Sequence, residues 1–101
     1  MALTIEKRME ENKIVVLPAG DIDIVTSPDF KEVVLDMFKD SNEILIDGEN
    51  LEYMDSTGLG VLISLLKKTR SNNSKISLTN LKPNIYKLFD ITGLTNVFEI
   101  I

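Results

Sequence analysis

Short apolar runs rich in β-branched residues alternate along this chain with stretches whose apolar residues recur at helical spacing, and this constrains its fold most. Lys13-Ile14-Val15-Val16-Leu17 is short, apolar and followed by Pro18, as in a buried strand. Gly20 then punctuates the chain before Asp21-Ile22-Asp23, with Asp21 a solvated turn residue. Thr26-Ser27-Pro28 marks a helix start, a capping hydroxyl with proline in the first turn. Phe30, Val33, Val34, Met37 and Phe38 follow as its apolar stripe, and Asp40-Ser41-Asn42 ends it. Glu43-Ile44-Leu45-Ile46-Asp47 reads as a central strand, and after a loop Leu59, Leu62, Ile63 and Leu66 form a second stripe. Lys67, Lys68 and Arg70 gather at that helix's C-terminal end, where cations suit the dipole. Asn72-Asn73-Ser74 is a loop, and Lys75 to Thr79 alternates as a half-buried strand. Pro83 opens a third helix carrying Ile85, Leu88 and Phe89, with Gly93 at its C-terminal cap.

A weakly alternating Leu3 to Lys7 precedes these elements, and Val97 to Ile101 is either a last short strand or a docked tail. The order β-β-α-β-α-β-α, with a final β left open, predicts an α/β domain. Its mixed sheet has four to five strands with helices packed against it. No repeat or linker divides residues 1–101, so one domain is expected.

With 101 residues, 44% of them hydrophobic, the chain can bury a core unaided. It has no cysteine and no histidine. Disulfides, thiolate or imidazole metal sites and Ser-His-Asp catalysis are therefore excluded. The net charge of −5 argues against direct nucleic-acid binding and against an anionic membrane surface. Met1 to Arg8 meets a charge too early for a signal peptide, and apolar runs such as Ile14 to Leu17 are far too short to span a membrane. A cytoplasmic protein is expected.

Tyr53-Met54-Asp55-Ser56-Thr57-Gly58-Leu59-Gly60-Val61-Leu62 fits a purely structural reading least well. It places Asp55 and Ser56 at a helix entrance, where backbone N–H groups lack intrahelical acceptors and the dipole favours negative charge. A phosphate on a serine there would meet ready-made donors. Gly58 and Gly60 each cost a helix about 1 kcal/mol relative to alanine. Their missing side chains leave room for a partner's backbone or phosphate, or equally for tight helix–sheet packing. Asp55 or Ser56 serves equally as a plain cap. With Ile63 following and no lysine in P-loop spacing, Gly58-Leu59-Gly60 is no nucleotide site.

Asp55-Ser56-Thr57-Gly58-Leu59-Gly60-Val61-Leu62, with its lead-in Leu51-Glu52-Tyr53-Met54, resembles the signature of STAS-domain anti-sigma factor antagonists. Gly20-Asp21-Ile22-Asp23 is similar to that family's Gly-x-hydrophobic-Asp element, and Leu88-Phe89-Asp90-Ile91-Thr92-Gly93-Leu94 to its last helix and glycine turn. The resemblance implies a STAS-like fold and a partner switch that controls transcription in sporulation or stress response. The unphosphorylated protein would bind an anti-sigma factor with serine kinase activity and free the sigma factor. Phosphorylation at Ser56 would abolish binding, and a serine phosphatase would reset the switch. Ser56 is the implied acceptor, and Asp23, Asp55, Ser56, Thr57 and Gly58 form the implied partner-binding surface.

Two departures stand out. Thr57 replaces a second serine common in the family, leaving a second hydroxyl beside the acceptor. Asp47-Gly48-Glu49 replaces the more usual Asp-Leu-Ser type of strand exit. On this reading ATP and Mg²⁺ belong to the kinase, so the chain is a substrate, not an enzyme, and needs no cofactor. Two rivals are a STAS accessory subunit of a membrane lipid-transporter complex and a small enzyme using Asp23 and Asp55 as an acid–base pair. The intact Asp55-Ser56 pair favours the switch over the first. The second lacks histidine and any evident substrate pocket.

Overall fold

A computed structural model describes residues 3–101; Met1 and Ala2 of the N-terminal reading lie outside them. β1 (Leu3–Glu10) and β2 (Lys13–Ile22) form a hairpin, followed by α1 (Ser27–Met37), β3 (Glu43–Asp47) and β4 (Leu51–Met54). Then come α2 (Ser56–Asn72), β5 (Lys75–Thr79), α3 (Pro83–Ile91), a 3₁₀ turn (Leu94–Asn96) and β6 (Glu99–Ile100). The sheet runs β1-β2-β3-β5-β6, with β4 also paired to β2. Among the described residues only the β1–β2 pairing is antiparallel, so the sheet is mixed as expected, with six strands rather than four or five. The additional strand is β4, in the segment read as a loop. Within Val97 to Ile101 a short last strand does form, at Glu99–Ile100, and buried Phe98 just before it packs edge-on against Phe89 with ring centroids 5.6 Å apart.

β2 runs past Pro18 because it changes partner there. β3 pairs with Ile14 to Val16, and β4 pairs with Gly20 to Ile22 on the same side. The Gly20 N–H donates to the Asn50 carbonyl at 3.1 Å. A strand's N–H groups two residues apart point the same way, so the N–H that Pro18 lacks would have pointed into the gap between β3 and β4. Gly20, at φ 116°, takes up a bulge that shifts the register before Asp21. Asp21 is therefore not the solvated turn residue expected. It is a buried strand residue paired with Tyr53.

One face of the sheet carries Ile14, Val16, Ile44, Ile46, Ile76 and Leu78. These pack with Phe30, Val34 and Met37 of α1, Leu59, Leu62 and Leu65 of α2, and Ile85 and Phe89 of α3. Strand residues alternate between faces, so Val15 and Leu17 turn the other way, opposite Arg8 and Glu6 of β1. α3 ends as expected, with Gly93 left-handed at φ 76° just past the helix.

Candidate functional site

β2 and β4 run parallel, and their carboxyl ends deliver the two halves of the site side by side. β4 leads straight into Asp55, the residue that caps α2. In extended conformation, its Oδ1 accepts the N–H groups of Thr57 at 2.9 Å and Gly58 at 3.0 Å. Asp55 is thus the cap, and Ser56 is the first helical residue, exposed to solvent. Thr57 is half-buried. Because Asp55 already holds two of the helix-entrance donors, the idea that a phosphate on Ser56 would find them free needs correction. Such a phosphate would stand next to a carboxylate.

The halves meet at Ile22, the last residue of β2. Its carbonyl accepts the Asp55 N–H at 3.3 Å. Gly58 is buried against the same carbonyl, with Met54 and the Ile22 side chain crowding the position its Cβ would take. Its lack of a side chain therefore serves helix–sheet packing, not the approach of a partner. Gly60 is the exposed glycine, with nothing within 4 Å of an added Cβ.

The turn from Asp23 to Thr26 is built on side-chain hydrogen bonds. Asp23 Oδ1 accepts the N–H groups of Val25 at 2.9 Å and Thr26 at 3.0 Å. Thr26 Oγ1 donates to the Asp21 carbonyl at 2.8 Å and accepts the Asp23 N–H at 2.9 Å. The Thr26 hydroxyl is consequently not the N-terminal cap of α1 that was expected; it ties the turn back to β2. These bonds hold the Asp23 carboxyl below its ordinary value of 3.8. The Thr26 amide is the chief cause, desolvation works against it, and the Val25 amide and Thr26 hydroxyl reinforce it.

Asp23, Asp55, Ser56, Thr57 and Gly58 are thus gathered around the end of β2, with Gly58 beneath the surface. Residue-by-residue reading passed over Ile24 and Val25, which the turn holds in solvent beside them. The available signal was an apolar pair between Asp23 and Thr26-Ser27-Pro28, where neither a strand nor a helical stripe claims it. Asp47-Gly48-Glu49 lies apart as a closed turn: Asp47 Oδ1 accepts from the Glu49 amide and from Asn80 Nδ2. A groove lined by Ile5, Lys7, Lys31 and Val33 runs between β1 and α1 and includes none of the five site residues. Among the described residues, no group of three or more acidic side chains could hold a metal ion, and no helix is long and apolar enough to cross a membrane.

Residues 4–101 match the family model described as the STAS domain. The chain is 33% identical over 100 residues to the anti-sigma-B factor antagonist of Bacillus subtilis (strain 168), covering 99% of this chain and 92% of that protein. It is 34% identical over 101 residues to the protein of the same name from Staphylococcus aureus (strain NCTC 8325 / PS 47), covering 99% and 94%. Its fold is similar to that of an anti-sigma factor antagonist from Mycobacterium paratuberculosis, with a TM-score of 0.84 at 22% identity over 98% of this chain and 85% of that one. It is similar to the anti-sigma factor antagonist SpoIIAA in both forms. The unphosphorylated form gives a TM-score of 0.75 at 17% identity, covering 97% and 87%, and the phosphorylated form 0.74 at 19%, covering 97% and 91%. The family-model match over residues 4–101 and relatives of 33% and 34% identity show that the chain belongs to the STAS domain family.

Proposed function

We propose that this chain is an anti-sigma factor antagonist working in the cytoplasm as a partner switch. Unphosphorylated, it binds an anti-sigma factor that is also a serine kinase and frees the sigma factor. Phosphorylation at Ser56 abolishes that binding, and a serine phosphatase restores it. The observation that carries this reading is the setting of Ser56: an exposed hydroxyl at the first position of α2, directly after the Asp55 cap. The curated relatives named anti-sigma-B factor antagonists support it over nearly their full length. Thr57, half-buried, offers its hydroxyl less freely.

The physics is sufficient without a change of fold. A phosphoserine adds about −1.5 to −2 charges. Because Asp55 already occupies the Thr57 and Gly58 amides, these two donors do not neutralise this charge, which is left to act on the partner. One like-charge contact at about 4 Å costs at most about 4 kcal/mol at an effective dielectric of about 20. About 3 kcal/mol already lowers affinity more than a hundredfold.

The test uses the anti-sigma factor kinase encoded in the genome that carries this chain. It should bind the chain, transfer one phosphate from ATP and release it, with phosphopeptide mapping placing the group on Ser56. Predominant modification of Thr57 would overturn the acceptor assignment. Recovery of a transporter ATPase as the partner, with no phosphorylation, would replace the switch by the transporter-subunit reading.

A further inference from the structure

Ile24 and Val25 are 71% and 74% exposed, side by side at the tip of the turn between β2 and α1. Two adjacent branched apolar side chains held this far into water form a small apolar patch that a partner could bury. The turn beneath them is pinned from both sides, by Asp23 Oδ1 on the Val25 and Thr26 amides and by Thr26 Oγ1 between Asp21 and Asp23. A tip already fixed in shape loses little conformational freedom on docking. It also adjoins the acceptor, since the Ile22 carbonyl just before it receives the Asp55 N–H. A partner that covers the Ser56 hydroxyl with an interface of ordinary size, about 800 Å² on each side, therefore extends toward this tip. Asp23 precedes it in the chain, Asp29 follows in the first turn of α1, and Asp55 is hydrogen-bonded to the end of β2 from which it springs. That acidic setting disfavours a second copy of this chain and an anionic lipid surface.

We propose that Ile24 and Val25 are the apolar anchor by which this chain docks into a shallow apolar hollow of the anti-sigma factor kinase. Asp23 is a positioning residue that holds the anchor and makes no contact of its own. This rests on the reading of Ser56 as the regulated site. Asp23 Oδ1 accepts the turn's own amides, so this carboxylate shapes the tip that the partner meets.

Asparagine separates the two roles of Asp23, because its side-chain oxygen accepts the same amides without the charge. Calorimetric titration of the full chain with the same anti-sigma factor kinase compares wild type, Asp23→Asn, Asp23→Ala, and the combined Ile24→Ser and Val25→Ser variant. Melting curves are recorded for all four. The Ile24→Ser, Val25→Ser variant should melt like wild type and lose at least about tenfold in affinity, from the apolar area no longer buried. Asp23→Asn should bind within about threefold of wild type, whereas Asp23→Ala should fall toward the double variant. Undiminished binding by the double variant overturns the anchor. An equal loss in Asp23→Asn and Asp23→Ala overturns the positioning role and makes the Asp23 charge a direct contact. Wild-type chain that neither binds the kinase nor accepts phosphate on Ser56 overturns the antagonist reading itself, a result distinct from either.

Discussion

A β-carbon on Gly58 would lie 2.6 Å from the carbonyl oxygen of Ile22. That oxygen belongs to the backbone of β2, where it also receives the Asp55 N–H, so it has little freedom to move aside. Gly58→Ala should therefore cost about 1–3 kcal/mol, as overpacking does elsewhere. Gly60→Ala, two residues on and facing open space, should instead gain up to about 1 kcal/mol, since alanine is the better helix former. Urea unfolding of both variants checks the contrast; equal effects at the two positions would mean that the Ile22 contact does not decide Gly58.

The Asp55 cap supplies a second prediction. Asp55→Ala leaves the Thr57 and Gly58 amides without their acceptor and should cost about 1–2 kcal/mol. Asp55→Asn keeps a side-chain oxygen in place and should lose much less. Unfolding midpoints for the pair measure the difference; equal losses would assign the stabilisation to the carboxylate's charge on the helix dipole instead.

Local pattern exposed some of this fold and hid the rest for identifiable reasons. Phe30, Val34 and Met37 were readable as a buried stripe because helix period alone sets which residues share a face. Leu65 joins the core as well, outside the stripe that spacing suggested, since α2 buries a broader face against the sheet. β4 reads as a loop in the sequence because its four residues show neither alternation nor β-branched content. Its strand character comes from pairing with the bulged end of β2, a tertiary contact. The Thr26 hydroxyl was misassigned for a similar reason: its acceptor is the Asp21 carbonyl on the preceding strand, not an amide of its own helix. At the site, the Asp55-Ser56 helix entrance was legible from residue types. Whether Gly58 faced a partner or the sheet depended on how β2 approaches α2, which no local pattern carries.

Acid should loosen the turn below the site before it unfolds the domain. The Asp23 carboxyl lies below its ordinary value of 3.8 because the Thr26 amide, above all, binds its charged form. The sign follows from linkage: a depressed carboxyl contributes stability that is fully present above its unfolded value and is lost as pH falls through its folded one. The window therefore lies below 3.8. Amide hydrogen exchange at Val25 and Thr26, corrected for the intrinsic pH dependence of exchange, should lose protection there, and in Asp23→Asn that loss should disappear. Protection that falls equally in both proteins would trace the effect to other carboxyls.

The last prediction separates charge from structure at Ser56. Ser56 is exposed and Asp55 is the cap, so Ser56→Ala should change stability by no more than about 0.5 kcal/mol. It should bind the anti-sigma factor constitutively and accept no phosphate. Ser56→Asp places a second carboxylate beside Asp55, a local repulsion that the positive end of the α2 dipole partly offsets. Its melting temperature should therefore stay close to that of wild type, while affinity falls in the direction that phosphorylation produces. A single charge is weaker than a phosphate's, so the loss should be partial and should shrink as salt is raised. Calorimetric titration of the three proteins against one anti-sigma factor, at low and moderate salt, reads both effects. If Ser56→Asp binds as tightly as wild type at both salt concentrations, local charge is not the switch. Release would then require the bulk of the phosphate or a movement of the turn carrying Ile24 and Val25, which would show as altered Val25 and Thr26 exchange in the phosphorylated protein.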